Sequence, residues 1–143
     1  MTWGASLMRL PKGMNIAEIA EEYGNDWQPP PVGSVAEIRD ALKSLFPDAK
    51  HHGDESVIQE GYAYVQFSYG DRKGTGWVES IGVVSNGDED GIAIIQAVCE
   101  RLDLKMVDHQ SGEIADFEQE PGRSMEEYRA FRDRALRKDE RAE

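Results

Sequence analysis

Asp108 and His109, with Glu113 and Asp116 a few residues on, come nearest to an acid–base site in type and spacing. A histidine among carboxylates can serve as a general base near neutral pH. The pattern has no partner nucleophile: the chain carries no G-x-S-x-G elbow and no Cys–His pairing of the protease kind. If the segment is a strand, Asp108 and His109 point to opposite faces. Turn and strand-edge structure therefore accounts for these residues. The alternative is a small enzyme or ligand-binding domain that uses Asp108, His109, Glu113 and Asp116.

Four other clusters are weaker. His51-His52-Gly53-Asp54-Glu55 bunches zinc-ligand types, but adjacent histidines point apart, whereas helical sites space them at i and i+4. A polar loop explains the run. Asp88-Glu89-Asp90 follows Ser85-Asn86-Gly87 at a helix start, where the helix dipole stabilises acids by roughly 0.3–1 kcal/mol each. Its spacing is not that of a calcium loop. Gly70 to Gly76 (GDRKGTG) places its lysine before the glycine and has no helix after it, so it is a hairpin turn and not a phosphate loop. Cys99 is the only cysteine, which excludes an intrachain disulfide. It falls late in a helix, in step with Ile95 and Leu102, as a small buried hydrophobe. No metal and no cofactor is expected.

These residues need elements to hold them. Met1 to Leu10 alternates Trp3, Ala5 and Leu7 on one face and reads as a strand ended by Pro11. Asn15 to Tyr23 is a short helix with a capping box at Asn15 and Glu18, closed by Gly24. Gln28-Pro29-Pro30-Pro31 is a stiff extended linker. Ser34 to Phe46 is a helix with Ser34 and Glu37 as its box, a stripe of Val35, Ile38, Leu42, Leu45 and Phe46, and Pro47 as its stop. Ser56 to Tyr69 reads as one long strand, with Ala63, Val65, Phe67 and Tyr69 on one side. Tyr62, Tyr64, Gln66 and Ser68 take the other. Trp77 to Val84 is the return strand. Asp88 to Leu102 is a second long helix, Met106 to Phe117 a pair of short strands, and Ser124 to about Lys138 a charged helix.

The order is strand, helix, strand, strand, helix, strand. The expected fold class is α+β: a ferredoxin-like split βαβ with an antiparallel sheet, an extra terminal hairpin and a C-terminal helix. One domain at residues 1–122 is expected, followed by a helical tail at 123–143. The chain of 143 residues can enclose one core without staples.

Charge is the strongest compositional signal. The formal net charge is −12. From Arg123 onward there are 7 basic and 6 acidic side chains, leaving 9 basic against 22 acidic in residues 1–122, a body at −13. Such a body repels phosphate backbones and anionic lipid, so neither nucleic acid nor a membrane surface is an expected partner. It would steer a basic protein in. Tyr62 and Tyr64, with Trp77, offer aromatic surface that the tail or a protein partner could cover. With no apolar run of membrane length and no signal-peptide pattern at the start, the expected location is cytoplasmic.

Four features recur together: Trp3-Gly4 with Leu7-Met8-Arg9, Trp27-Gln28-Pro29-Pro30 leading to Gly33-Ser34, Leu45-Phe46-Pro47, and Asp108 with Ser111-Gly112-Glu113. Over residues 1–117 this pattern resembles small bacterial proteins of unassigned function that are associated with the immunity partners of polymorphic toxins. The resemblance implies an inhibitor that blocks a protein by surface complementarity, and no catalytic residues. The functional expectation is a non-enzymatic interaction module binding a basic protein through Asp88, Glu89, Asp90, Tyr62, Tyr64 and Trp77. Homodimer formation through the tail or a sheet edge is compatible with it.

Overall fold

The computed structural model describes residues 3–11, 13–24, 26–86, 89–109 and 114–115. The expected tail helix and the boundary at residue 122 lie outside them. The described elements are β1 (Trp3–Met8), α1 (Ile16–Tyr23), α2 (Val35–Leu45), β2 (Lys50–His52), β3 (Glu55–Glu60), β4 (Ala63–Ser68), β5 (Ser80–Ser85), α3 (Glu89–Leu102), β6 (Lys105–Asp108) and β7 (Ile114–Ala115). The strands form one open sheet in the order β2-β3-β4-β5-β1-β6-β7, and every neighbouring pair is antiparallel. The protein is thus a mixed α and β fold on an antiparallel sheet.

Period-two patterning sets the core face. Trp3, Ala5 and Leu7 of β1 are buried, and the ladder puts Ala5 opposite Val83 and Leu7 opposite Ile81 and Met106. Val65 and Phe67 of β4 continue that face to Ile58 of β3. Helices α2 and α3 pack against each other, α3 on β4 and α2 on β3. Ile38 and Leu42 of α2 and Ile95 and Val98 of α3 are almost wholly buried. Each such side chain contributes about 1.5–3 kcal/mol.

The helix starts follow from side-chain chemistry. Glu18 N donates to Asn15 Oδ1 at 2.8 Å and Glu37 N to Ser34 Oγ at 3.1 Å, and both boxes are completed by the glutamate reaching back. Arg9 then ties three segments together. Its Nη1 donates to Pro31 O at 2.7 Å and its Nη2 to Leu102 O at 3.2 Å. The guanidinium therefore holds the proline linker and occupies a free carbonyl at the end of α3.

Three expectations are corrected. Ser56 to Tyr69 is not one strand: Gly61, at φ 59°, turns the chain so that β3 and β4 pair as a hairpin. Lys50–His52 is not loop but the edge strand β2, turned into β3 at Gly53, φ 61°. The return strand begins at Ser80, later than Trp77, because Val78 is drawn instead into a bridge with Gly33. Both N–H groups of that bridge reach their carbonyl partners at 2.7 Å: Val32 donates to Val78 and Val78 to Gly33.

Candidate functional site

The face of the sheet opposite the core is half-buried to exposed at every position of β1, β4 and β5. Ser6, Gly82 and Ser68 stand there in register across three strands. They form the floor of a cleft of about 350 Å³. One wall is the loop between β4 and β5, with Arg72, Lys73 and Trp77, and the other is His109.

The sequence organises this loop locally. Asp71 accepts hydrogen bonds from the backbone N–H groups of Thr75, at 3.1 Å, and Gly76. Gly74 and Gly76 supply the positive φ values, 69° and 87°, that close it. Lys73 Nζ donates to Gln28 Oε1 at 2.6 Å and pairs with Glu79 at 3.0 Å, which pins the loop to the linker and to its own last residue before β5. Arg72 is exposed, and its guanidinium makes no ion pair with a described residue. Trp77 is 53% exposed.

His109 follows β6 and crosses to the outer face. Its N–H donates to Gly4 O at 3.2 Å, and Nε2 lies 2.7 Å from Ser6 Oγ. Gly4 permits this packing, since a Cβ there would stand 3.1 Å from His109 Nδ1. Asp108 faces the other way. It is 1% exposed and accepts from Trp3 Nε1 at 2.6 Å. The two neighbours are thus separated by the sheet itself, and Asp108 does not orient the imidazole. Glu113 and Asp116 lie outside the described residues.

The residues assigned to partner contact fall into two places. Tyr62 is 91% exposed in the turn between β3 and β4. Asn86 fastens that turn, donating from Nδ2 to Tyr62 O and accepting from Tyr64 N at 3.3 Å. Tyr64 lies half-buried on the outer face, its hydroxyl donating to Gln66 Oε1 at 3.1 Å. Asn86 leads to the start of α3, which begins at Glu89, and Asp90 is exposed there; Asp88 lies outside the described residues. Tyr62, Tyr64 and the acidic start of α3 therefore share one end of the sheet. Trp77 lies beyond the opposite end of β5, roughly 20 Å of strand away. What sequence reasoning missed is the cleft lining: Ser6, Ser68, Arg72 and Gly82. The signal lay in hydroxyls and a glycine on the solvent-facing positions of adjacent strands.

The remaining clusters are structural. His51 Nε2 donates to Phe46 O at 2.9 Å, which leaves Nδ1 of the neutral ring to accept from Ser56 Oγ at 2.7 Å. Ser56 in turn accepts from the buried Tyr69 hydroxyl at 2.7 Å. Among the described residues no group of three or more His, Cys, Asp or Glu side chains could hold a metal ion. No helix among them is long and apolar enough to cross a membrane. Cys99 is buried and, as the sole cysteine, forms no disulfide within the chain. Comparison of the chain with protein-family models, curated proteins and solved structures gives no match.

Proposed function

We propose that the protein is an interaction module, an immunity-like inhibitor that captures a basic protein through an acidic, aromatic-bearing surface. The observation that carries this reading is Tyr62. A tyrosine 91% exposed at a turn, held there by Asn86 and close to the acidic start of α3, is a large amphipathic contact residue with no packing duty. Tyrosines of this kind anchor interfaces, and surrounding acids steer a basic partner and set its association rate. The net charge of −12 supports the same choice. The half-buried Tyr64 and Val84, 42% exposed, extend the surface along β4 and β5.

We also read the architecture as a ferredoxin-like split βαβ with additions. Its support is the central strand order β4-β5-β1-β6, with α2 on the path from β1 to β4 and α3 on that from β5 to β6. Strands β2 and β3 extend one edge and β7 the other.

The test is affinity capture from the native host at low salt, repeated with Tyr62→Ser and Asp90→Lys. A stoichiometric basic protein, released by added salt and lost with either variant at unchanged melting temperature, supports the module. A partner indifferent to salt and to both substitutions refutes this surface.

A further inference from the structure

The outer-face cleft includes none of Tyr62, Tyr64 and Val84 in its lining and has a chemistry of its own. We propose that it binds a small organic anion: a single flat ring bearing a carboxylate or a phosphate ester. Three independent features point to that class. First, residues 1–122 hold 9 Lys and Arg side chains against 22 acids, yet Arg72 and Lys73 both line this cleft beside His109; Glu79, which also lines it, pairs with Lys73 and leaves the Arg72 guanidinium as the cation for a ligand. Arg72 has no carboxylate among the described residues to satisfy it, and its planar fork matches a carboxylate or phosphate. Second, Trp77, 53% exposed, lines the cleft and offers a flat apolar wall for a ring. Third, Ser6 of the floor is hydrogen-bonded to His109 of the opposite wall, a pair that can accept or donate according to the imidazole tautomer.

Gly82 makes the cleft deep enough. A glycine in the middle of a strand is unfavourable by roughly 0.5–1 kcal/mol and commonly marks close approach of a ligand or backbone. No backbone requirement explains it here, because its φ is not positive. A Cβ would meet only Ser68 O at 3.8 Å and Ser68 Cβ at 3.9 Å, ordinary contacts. The side chain is therefore absent where the fold would accept one, and its absence leaves the floor between Ser6 and Ser68 open. The volume, about 350 Å³, suits a one-ring molecule and is at the lower end of ligand pockets.

The experiment is a ¹⁵N-edited NMR titration of the full chain with benzoate, phenyl phosphate, inorganic phosphate and the neutral benzyl alcohol. We expect saturable shifts at Ser6, Ser68, Gly82 and the Trp77 indole with one or both ring anions, in the millimolar range for a ligand of about ten heavy atoms. Benzoate against phenyl phosphate tells carboxylate from phosphate, and inorganic phosphate isolates the contribution of the ring. Arg72→Gln should weaken binding roughly ten- to a hundredfold. Glu79→Gln, which releases Lys73, should tighten it. Gly82→Val should abolish it at an unchanged or raised melting temperature, since a β-branched residue suits a strand. The proposal is overturned if neither ring anion gives saturable shifts at those residues. It is equally overturned if benzyl alcohol binds as well as the anions, or if affinity survives Arg72→Gln. Because Arg72 is exposed, that variant decides the matter even if Gly82→Val folds poorly.

Discussion

Replacing Asp108 by alanine should damage the fold, while replacing its neighbour His109 should not. Asp108 and Trp3 are each 1% exposed, and their hydrogen bond spans 2.6 Å. Removing the carboxyl leaves the indole N–H buried without its acceptor. An orphaned buried donor costs about 1–3 kcal/mol. At about 2 kcal/mol the loss in Tm is roughly 4–8 °C for a chain of this size. Asp108→Asn keeps an acceptor oxygen and should recover most of it. His109 is exposed, and its bond to Ser6 is made in solvent, so His109→Ala should change stability by less than about 0.5 kcal/mol. Urea and thermal unfolding of the three variants measure this directly. The double mutant with Trp3→Phe should show a coupling of about 1 kcal/mol or more. An Asp108→Ala protein that melts with the wild type would refute the structural role and return Asp108 to the functional candidates.

Other outcomes follow from the same geometry. Ser56→Ala strips partners from both Tyr69 and His51 and should cost about 1–3 kcal/mol, yet adding Tyr69→Phe should cost little more, since the orphaned hydroxyl is then gone; strictly additive losses in urea melts would contradict the assigned bond directions. Leu42→Asp puts a charge at a fully buried position and should leave no cooperative thermal transition; a normal melt would displace α2 from the core. Arg9→Met keeps the aliphatic stem but frees Pro31 and Leu102, and should lower stability by about 1–3 kcal/mol while amide exchange quickens at the end of α3. Ser34→Ala should cost about 1 kcal/mol through the lost cap, read from chemical denaturation.

Elements carried by a single local pattern were legible in the sequence. The capping boxes at Asn15 and Ser34 and the stop at Pro47 marked helix ends, and the alternation of Trp3, Ala5 and Leu7 marked the core face of β1. The β3–β4 hairpin was missed although its signal was present. Buried positions are even at Ser56 and Ile58 and odd from Ala63 to Tyr69, and that change of parity requires a turn between them. Strand β2 was illegible because three polar residues carry no periodicity, and only pairing with β3 defines it. The divergence of Asp108 and His109 followed from strand alternation alone. The cleft did not, because Ser6, Ser68 and Gly82 are 14 or more positions apart in the chain and meet only through the order β4-β5-β1. Long-range register is the information a single sequence withholds.

The two margins of the sheet have a bearing on how the protein behaves when crowded. Among the described residues strand β2 has three residues of backbone and β7 two, so at the β2 edge an approaching chain finds a very short template. Beyond β2, the stretch Ile58 to Glu60 of β3 has no outer partner among the described residues, and it ends in a glutamate. Short rims and a charge on the open stretch are how β proteins discourage stacking into fibrils. With a net charge of −12 between copies, the molecule should stay dispersed at concentrations where a longer bare margin would recruit its own kind.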